Sequence, residues 1–154
     1  LDNISSEAGN ERDERYRIRL IKLLADNMDL INDLKDIEPF TIVLFENNKL
    51  IQLQWDEIEK SKEIINENEF HIWSSSTLYS KEIRAQRKNW FDHFLKSTGS
   101  PKANEILYFH QFTETENKEF GLQINRNNQL KTVSITQCLV SNSKIEMTYL
   151  DLFN

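Results

Sequence analysis

Ser74, Ser75, Ser76 and Thr77 stand in one run, with Tyr79 two places on and Arg84 and Arg87 beyond it. Hydroxyl side chains bond their own backbone and compete with regular structure, so this run marks a turn. Guanidinium groups grip carboxylates and phosphates through paired hydrogen bonds. One reading is therefore a polar loop at the mouth of a pocket, with Arg84 and Arg87 nearby to hold an anion. The other is a capped surface helix with solvated arginines. Residue chemistry alone favours the second.

The remaining reactive side chains are few. His71, His93 and His110 lie far apart, and none pairs with a second His, a Cys or a carboxylate at the spacing of a known metal motif. His71 precedes an expected buried strand and reads as a packing or hydrogen-bonding residue. His93, between Trp90 and Phe94, reads as exposed. His110, beside Gln111, is the best functional candidate of the three. Cys138 has Leu139 and Val140 next to it and reads as a small buried hydrophobe. The Ser74–Ser76 turn lacks the glycines of a nucleophile elbow. No catalytic residue and no metal ligand is assigned.

The elements that must position these groups come next. Ile72 and Trp73 predict a short buried strand. Ser80 is an N-cap, with Glu82 in the first turn where an anion is favoured. Ile83, Trp90, Phe91, Phe94 and Leu95 then recur at helical spacing, and Lys81, Arg84, Lys88 and Asp92 take the other face. Upstream, residues 1–10 read as a loop. A helix follows from Glu11 with Ile21, Leu24 and Met28 on one face, then an acidic connector ending at Pro39. Phe40–Glu46 and Lys49–Trp55 predict a hairpin across Asn47-Asn48, because Asn tolerates positive φ. Asp56–Ile65 fits either a short helix or a third strand.

Downstream, Ser97–Pro101 is a break. Asn104–Phe112 predicts a helix and Thr113–Lys118 a polar loop. Phe120–Ile124 alternates and predicts a strand, followed by a turn at 125–129. Lys131–Thr136 and Lys144–Leu150 predict two more strands, with Ile145, Met147 and Tyr149 on one face. Several mostly antiparallel strands with two or three packed helices make an α+β arrangement.

Composition narrows the classes. The 154 residues predict a single domain, able to hide roughly 70% of its unfolded surface. A formal net charge of -6 argues against general nucleic-acid binding, which needs a basic footprint. Residues 56–69 carry six acids and two lysines, and 80–96 carry five basic and two acidic residues, a pattern of solvated faces. No apolar run approaches the roughly 20 residues of a membrane span. One cysteine forbids an intrachain disulfide and fits a reducing compartment such as the cytoplasm. Three glycines leave no room for a Gly-rich phosphate loop.

Four blocks carry a family resemblance. They are Ile37–Leu44; Leu53-Gln54-Trp55-Asp56; His71-Ile72-Trp73-Ser74-Ser75-Ser76-Thr77-Leu78-Tyr79-Ser80 with Arg84, Arg87, Trp90 and Phe91; and Lys131–Thr136. In order and spacing they resemble the NRDE family, also called the transport-and-Golgi-organisation-2 family, from about Tyr16 onward. The Trp-Ser-Ser-x-Thr-Leu-Tyr-Ser block and the Thr-Val-Ser-Ile-Thr strand are specific together.

The resemblance implies an N-terminal-nucleophile-hydrolase-like fold, an αββα sandwich of two stacked sheets between helix layers. Family members begin Met-Cys, with an Asn-Arg-Asp-Glu signature soon after. This chain has neither, and Asn10–Glu14 is a chance likeness to the signature. It therefore resembles the C-terminal two-thirds of a member, with the nucleophile expected upstream. An N-terminal nucleophile uses its own α-amino group as base, so both groups belong to that segment. By analogy with cysteine amide hydrolases, Ser74, Ser75, Ser76 and Thr77 line the ligand site with Tyr79, and Arg84 orients the ligand. The family's association with haem trafficking and Golgi organisation implies a small-molecule carrier. Haem needs an apolar slot and often an axial histidine, for which His110 or His71 is available. The expected function is small-ligand or haem binding without catalysis; the alternative is amide hydrolysis by an upstream cysteine. Oligomeric state stays open.

Overall fold

The computed structural model describes residues 38–153 apart from 142 and 143. The expected N-terminal loop, the helix from Glu11 and most of the acidic connector lie outside the described residues. The chain is α+β, with antiparallel sheets and two helices among the described residues. It divides into two compact units. Of the described residues, 38–71 and 75–78 belong to the first, and 72–74 and 79–153 to the second.

The first unit is a three-stranded antiparallel sheet of β1 (Phe40–Glu46), β2 (Lys49–Trp55) and β3 (Lys60–Ile65), in that order. Asn47 and Asn48 take φ of 52° and 57°, the left-handed geometry that a two-residue hairpin requires. Register follows from that turn: Phe40 faces Trp55, Ile42 faces Leu53, and Leu44 faces Ile51. These pairs share one side of the sheet and form its core, with Leu53 at 0% exposure. Asp56–Ile65 resolves in favour of the strand. Asp56 Oδ1 accepts the amides of Ile58 and Glu59 at 3.1 and 2.8 Å, and this turn aims β3 back along β2.

The second unit is built on α1 (Lys81–Thr98) and α2 (Ala103–Phe112). Ser80 caps α1 through its hydroxyl, which accepts from Ile83 N, and Gly99 ends it at φ 77° with its amide on Leu95 O. The predicted apolar stripe of α1 buries Phe91 with Trp90, Phe94 and Leu95 beside it, against Phe109 of α2 and Leu122. The Phe91 and Phe94 rings lie 5.4 and 4.8 Å from the Phe109 ring. At the start of α2, the Glu105 carboxylate accepts from Lys102 N at 2.7 Å.

Three features depart from the sequence reading. Ile72 and Trp73 form no strand. Ile72 instead packs into the helix core. Phe120–Ile124 forms turns and bends rather than a strand, because Asn117 takes its amides: Gly121 N donates to Asn117 O and Phe120 N to Asn117 Oδ1. The strands fall later, as β4 (Asn125–Arg126) and β5 (Leu130–Lys131), joined through Asn127 and Asn128 at φ 53° and 59°. β6 (Ser134–Ser141) then pairs with β7 (Lys144–Asp151). β6 runs past the expected end at Thr136 and takes in Cys138, which is exposed rather than buried.

Candidate functional site

The hydroxyl run is divided between the units. Ser75, Ser76 and Thr77 belong to the first, whereas Ser74, Tyr79, Arg84 and His110 belong to the second. Within the first unit, Ser75 Oγ and Thr77 Oγ1 share a hydrogen bond of 2.9 Å, and Ser75 Oγ also accepts from Leu78 N. These hydroxyls serve their own turn, as residues of this kind do. Ser76 is half-buried and makes no side-chain hydrogen bond among the described residues.

In the second unit Arg87 is the hub. Its Nε donates to Ser74 Oγ at 3.0 Å, and its Nη1 donates to Phe120 O at 3.0 Å and Gly121 O at 2.7 Å. The guanidinium lies 4.4 Å from the Tyr79 ring centre, and Arg126 stands 5.6 Å from the same ring. Arg126 also approaches Phe120 at 5.5 Å and donates from Nε to Glu119 O. Tyr79 is thus a half-buried aromatic ring approached by two cations, an attraction set up by the ring quadrupole. Arg87 is not the solvated surface arginine that residue chemistry alone favours, being half-buried. Three of its donors are committed to carbonyls and a hydroxyl, and no described carboxylate pairs with it. Its charge persists, and burial pulls its pKa down while Tyr79 opposes that shift.

Arg84 is half-buried on the same helix, and its guanidinium has no hydrogen-bond partner among the described residues. It acts on Glu82 through charge alone, as the weakest of the influences holding that carboxyl low; the hydrogen bond from Ser80 is the strongest.

His110 sits on α2, half-buried, with the Phe109 ring at its edge 5.4 Å away. Burial pushes its pKa below the ordinary 6.5, and the positive charge of Arg87 pushes the same way. Its imidazole is therefore neutral at pH 7. Among the described residues neither ring nitrogen has a hydrogen-bond partner, so the lone pair of the unprotonated nitrogen is uncommitted. The other histidines differ. His71 Nε2 is engaged with Asn66 O at 2.7 Å in the first unit, and His93 is exposed.

Around this centre, Gln123 Nε2 donates to Gln111 O at 2.7 Å and ties the 118–124 loop to the end of α2. Sequence reasoning missed Phe120, Gly121 and Arg126 as partners in this centre. Gly121 carried a signal, being one of only three glycines. A Cβ there would stand 2.5 Å from Asn117 O and nearer still to Glu114 O. Nothing in the spacing of Arg126 announced it.

Among the described residues, no group of three or more His, Cys, Asp or Glu is placed to hold a metal ion. None of the described helices is long and apolar enough to cross a membrane. No family model, curated protein or solved structure matches the chain.

Proposed function

We propose that this chain is an NRDE-type protein that handles haem or a similar flat molecule bearing acid groups, without catalysis of its own. The observation that carries the reading is His110. It is a half-buried, neutral imidazole with no hydrogen bond among the described residues, and it stands in the field of a fixed arginine. A neutral imidazole with a free lone pair is what a haem iron takes as an axial ligand. The charge of Arg87, without a described carboxylate partner, favours acid groups nearby. His71 suits the part less, because its Nε2 is already bonded.

The α+β class with antiparallel sheets is compatible with the αββα sandwich that the NRDE resemblance implies. A reducing compartment, the cytoplasm, accords with the single cysteine.

Haemin titration tests the reading. The expected result is a shifted Soret band that saturates near one haemin per chain, lost in His110→Ala and retained in His71→Ala. A spectrum equal to that of free haemin, or equal binding by the His110→Ala variant, overturns it.

A further inference from the structure

The β6–β7 ribbon has two unlike faces. Directly paired residues of an antiparallel ribbon share a side. Thus Thr136 with Tyr149, Cys138 with Met147, and Val140 with Ile145 line one face. Ile135 with Leu150, Gln137 with Thr148, and Leu139 with Glu146 line the other. That second face is covered at its Ile135–Gln137 end, while Leu139, Glu146 and Thr148 are exposed. Gln137 Nε2 donates to Ala103 O of α2 at 2.7 Å, and Ile135 and Leu150 are half-buried.

The first face is bare. Val140 is 72% exposed, Ile145 71%, Met147 73% and Tyr149 64%, with Cys138 exposed among them. Single exposed apolar residues are ordinary, but a contiguous set on one flat face marks an interaction surface.

We propose that this face is where two copies of the chain meet. Charge permits a second copy at this face and disfavours it elsewhere. The chain carries a formal net charge of -6, so two copies repel over most of their surfaces. The bare face is almost free of that repulsion. Lys144 and Glu146 project to the other side, and Asp151 stands at the far end, its Oδ1 accepting from Phe153 N. An uncharged apolar face is also complementary to itself, as a twofold contact requires.

Area agrees. The exposed side chains of this face present about 500 Å² on each copy, hence about 1,000 Å² across a pair, the lower bound for a specific contact. A contact of this size makes a modest dimer. Cys138 and Met147 form the middle pair of the three, so a twofold axis crossing the face there brings the two Cys138 side chains close together.

Sedimentation equilibrium over a rising concentration series tests this. The mass-average should climb from one chain toward two. Met147→Lys and Tyr149→Lys, checked for native circular dichroism, should each weaken the dimer about tenfold or more. A short bismaleimide should join two chains through Cys138 at concentrations where the dimer forms. A single-chain mass throughout the series overturns the proposal. So does a dimer that both lysine variants leave unchanged. Should either variant misfold, the wild-type cross-link decides: a dimer population that Cys138 does not link overturns the assignment of this face.

Discussion

Ser74 Oγ accepts a 3.0 Å hydrogen bond from Nε of Arg87, a residue thirteen positions further along the chain. The bond fastens the segment before α1 onto the helix it precedes. The same guanidinium holds the carbonyls of Phe120 and Gly121, so one side chain joins three stretches of backbone. Lysine cannot reproduce that fork of donors. Arg87→Lys should therefore cost about 2–3 kcal/mol in urea denaturation, and Ser74→Ala about 1 kcal/mol. Stabilities for both variants that match the wild type would show that the fork does not hold this unit together.

Gly121→Ala should cost about 1–3 kcal/mol or more, because the added carbon meets two backbone carbonyls that cannot swing aside. Thermal unfolding reads the loss. An unchanged midpoint would mean that the 114–121 loop relaxes freely around a methyl group.

Leu53→Ala removes the one described side chain at zero exposure, from the centre of the β1–β2 core. The expected cost is about 2–5 kcal/mol, as for other buried leucines. A loss below 1 kcal/mol, on the same scale, would refute a packed core in the first unit.

Acid should weaken the second unit through His110. Its folded pKa lies below the unfolded 6.5, so on acidification the unfolded chain takes up a proton first. Stability is whole above 6.5 and falls as the pH drops from there through the folded value. A His110→Gln variant should lose less stability across that window than the wild type. Parallel pH profiles for the two proteins would rule His110 out as the titrating group.

Some of this was legible in the sequence because the signals were local. Asn47-Asn48 between two alternating runs gave the first hairpin, and Ser80 with the stripe from Ile83 to Leu95 gave α1. The failures came where a distant side chain overrode local preference. Ile72 and Trp73 have strand chemistry, but Ile72 packs on the helix core while the adjoining Ser74 is taken by Arg87. Phe120–Ile124 alternates like a strand, yet Arg87 and Asn117 take its carbonyls and amides. Cys138 misled because a cysteine in a hydrophobic run reads as interior, and no pattern says which face of a ribbon is covered. For the candidate site, His110 was visible as a residue. Its neutrality was not, since that depends on burial and on an arginine of another helix.

The two Asn-Asn turns also bear on how quickly the chain finds its structure. Each closes a ribbon over two or three residues with backbone angles that asparagine tolerates. Hairpins of this kind form within microseconds, and their register is set before distant parts have met. Arg87 makes a wider closure, its bonds to Phe120 and Gly121 spanning 33 and 34 positions. Closing so wide a loop costs entropy that no local turn offsets, so the arginine fork is expected to follow the hairpins.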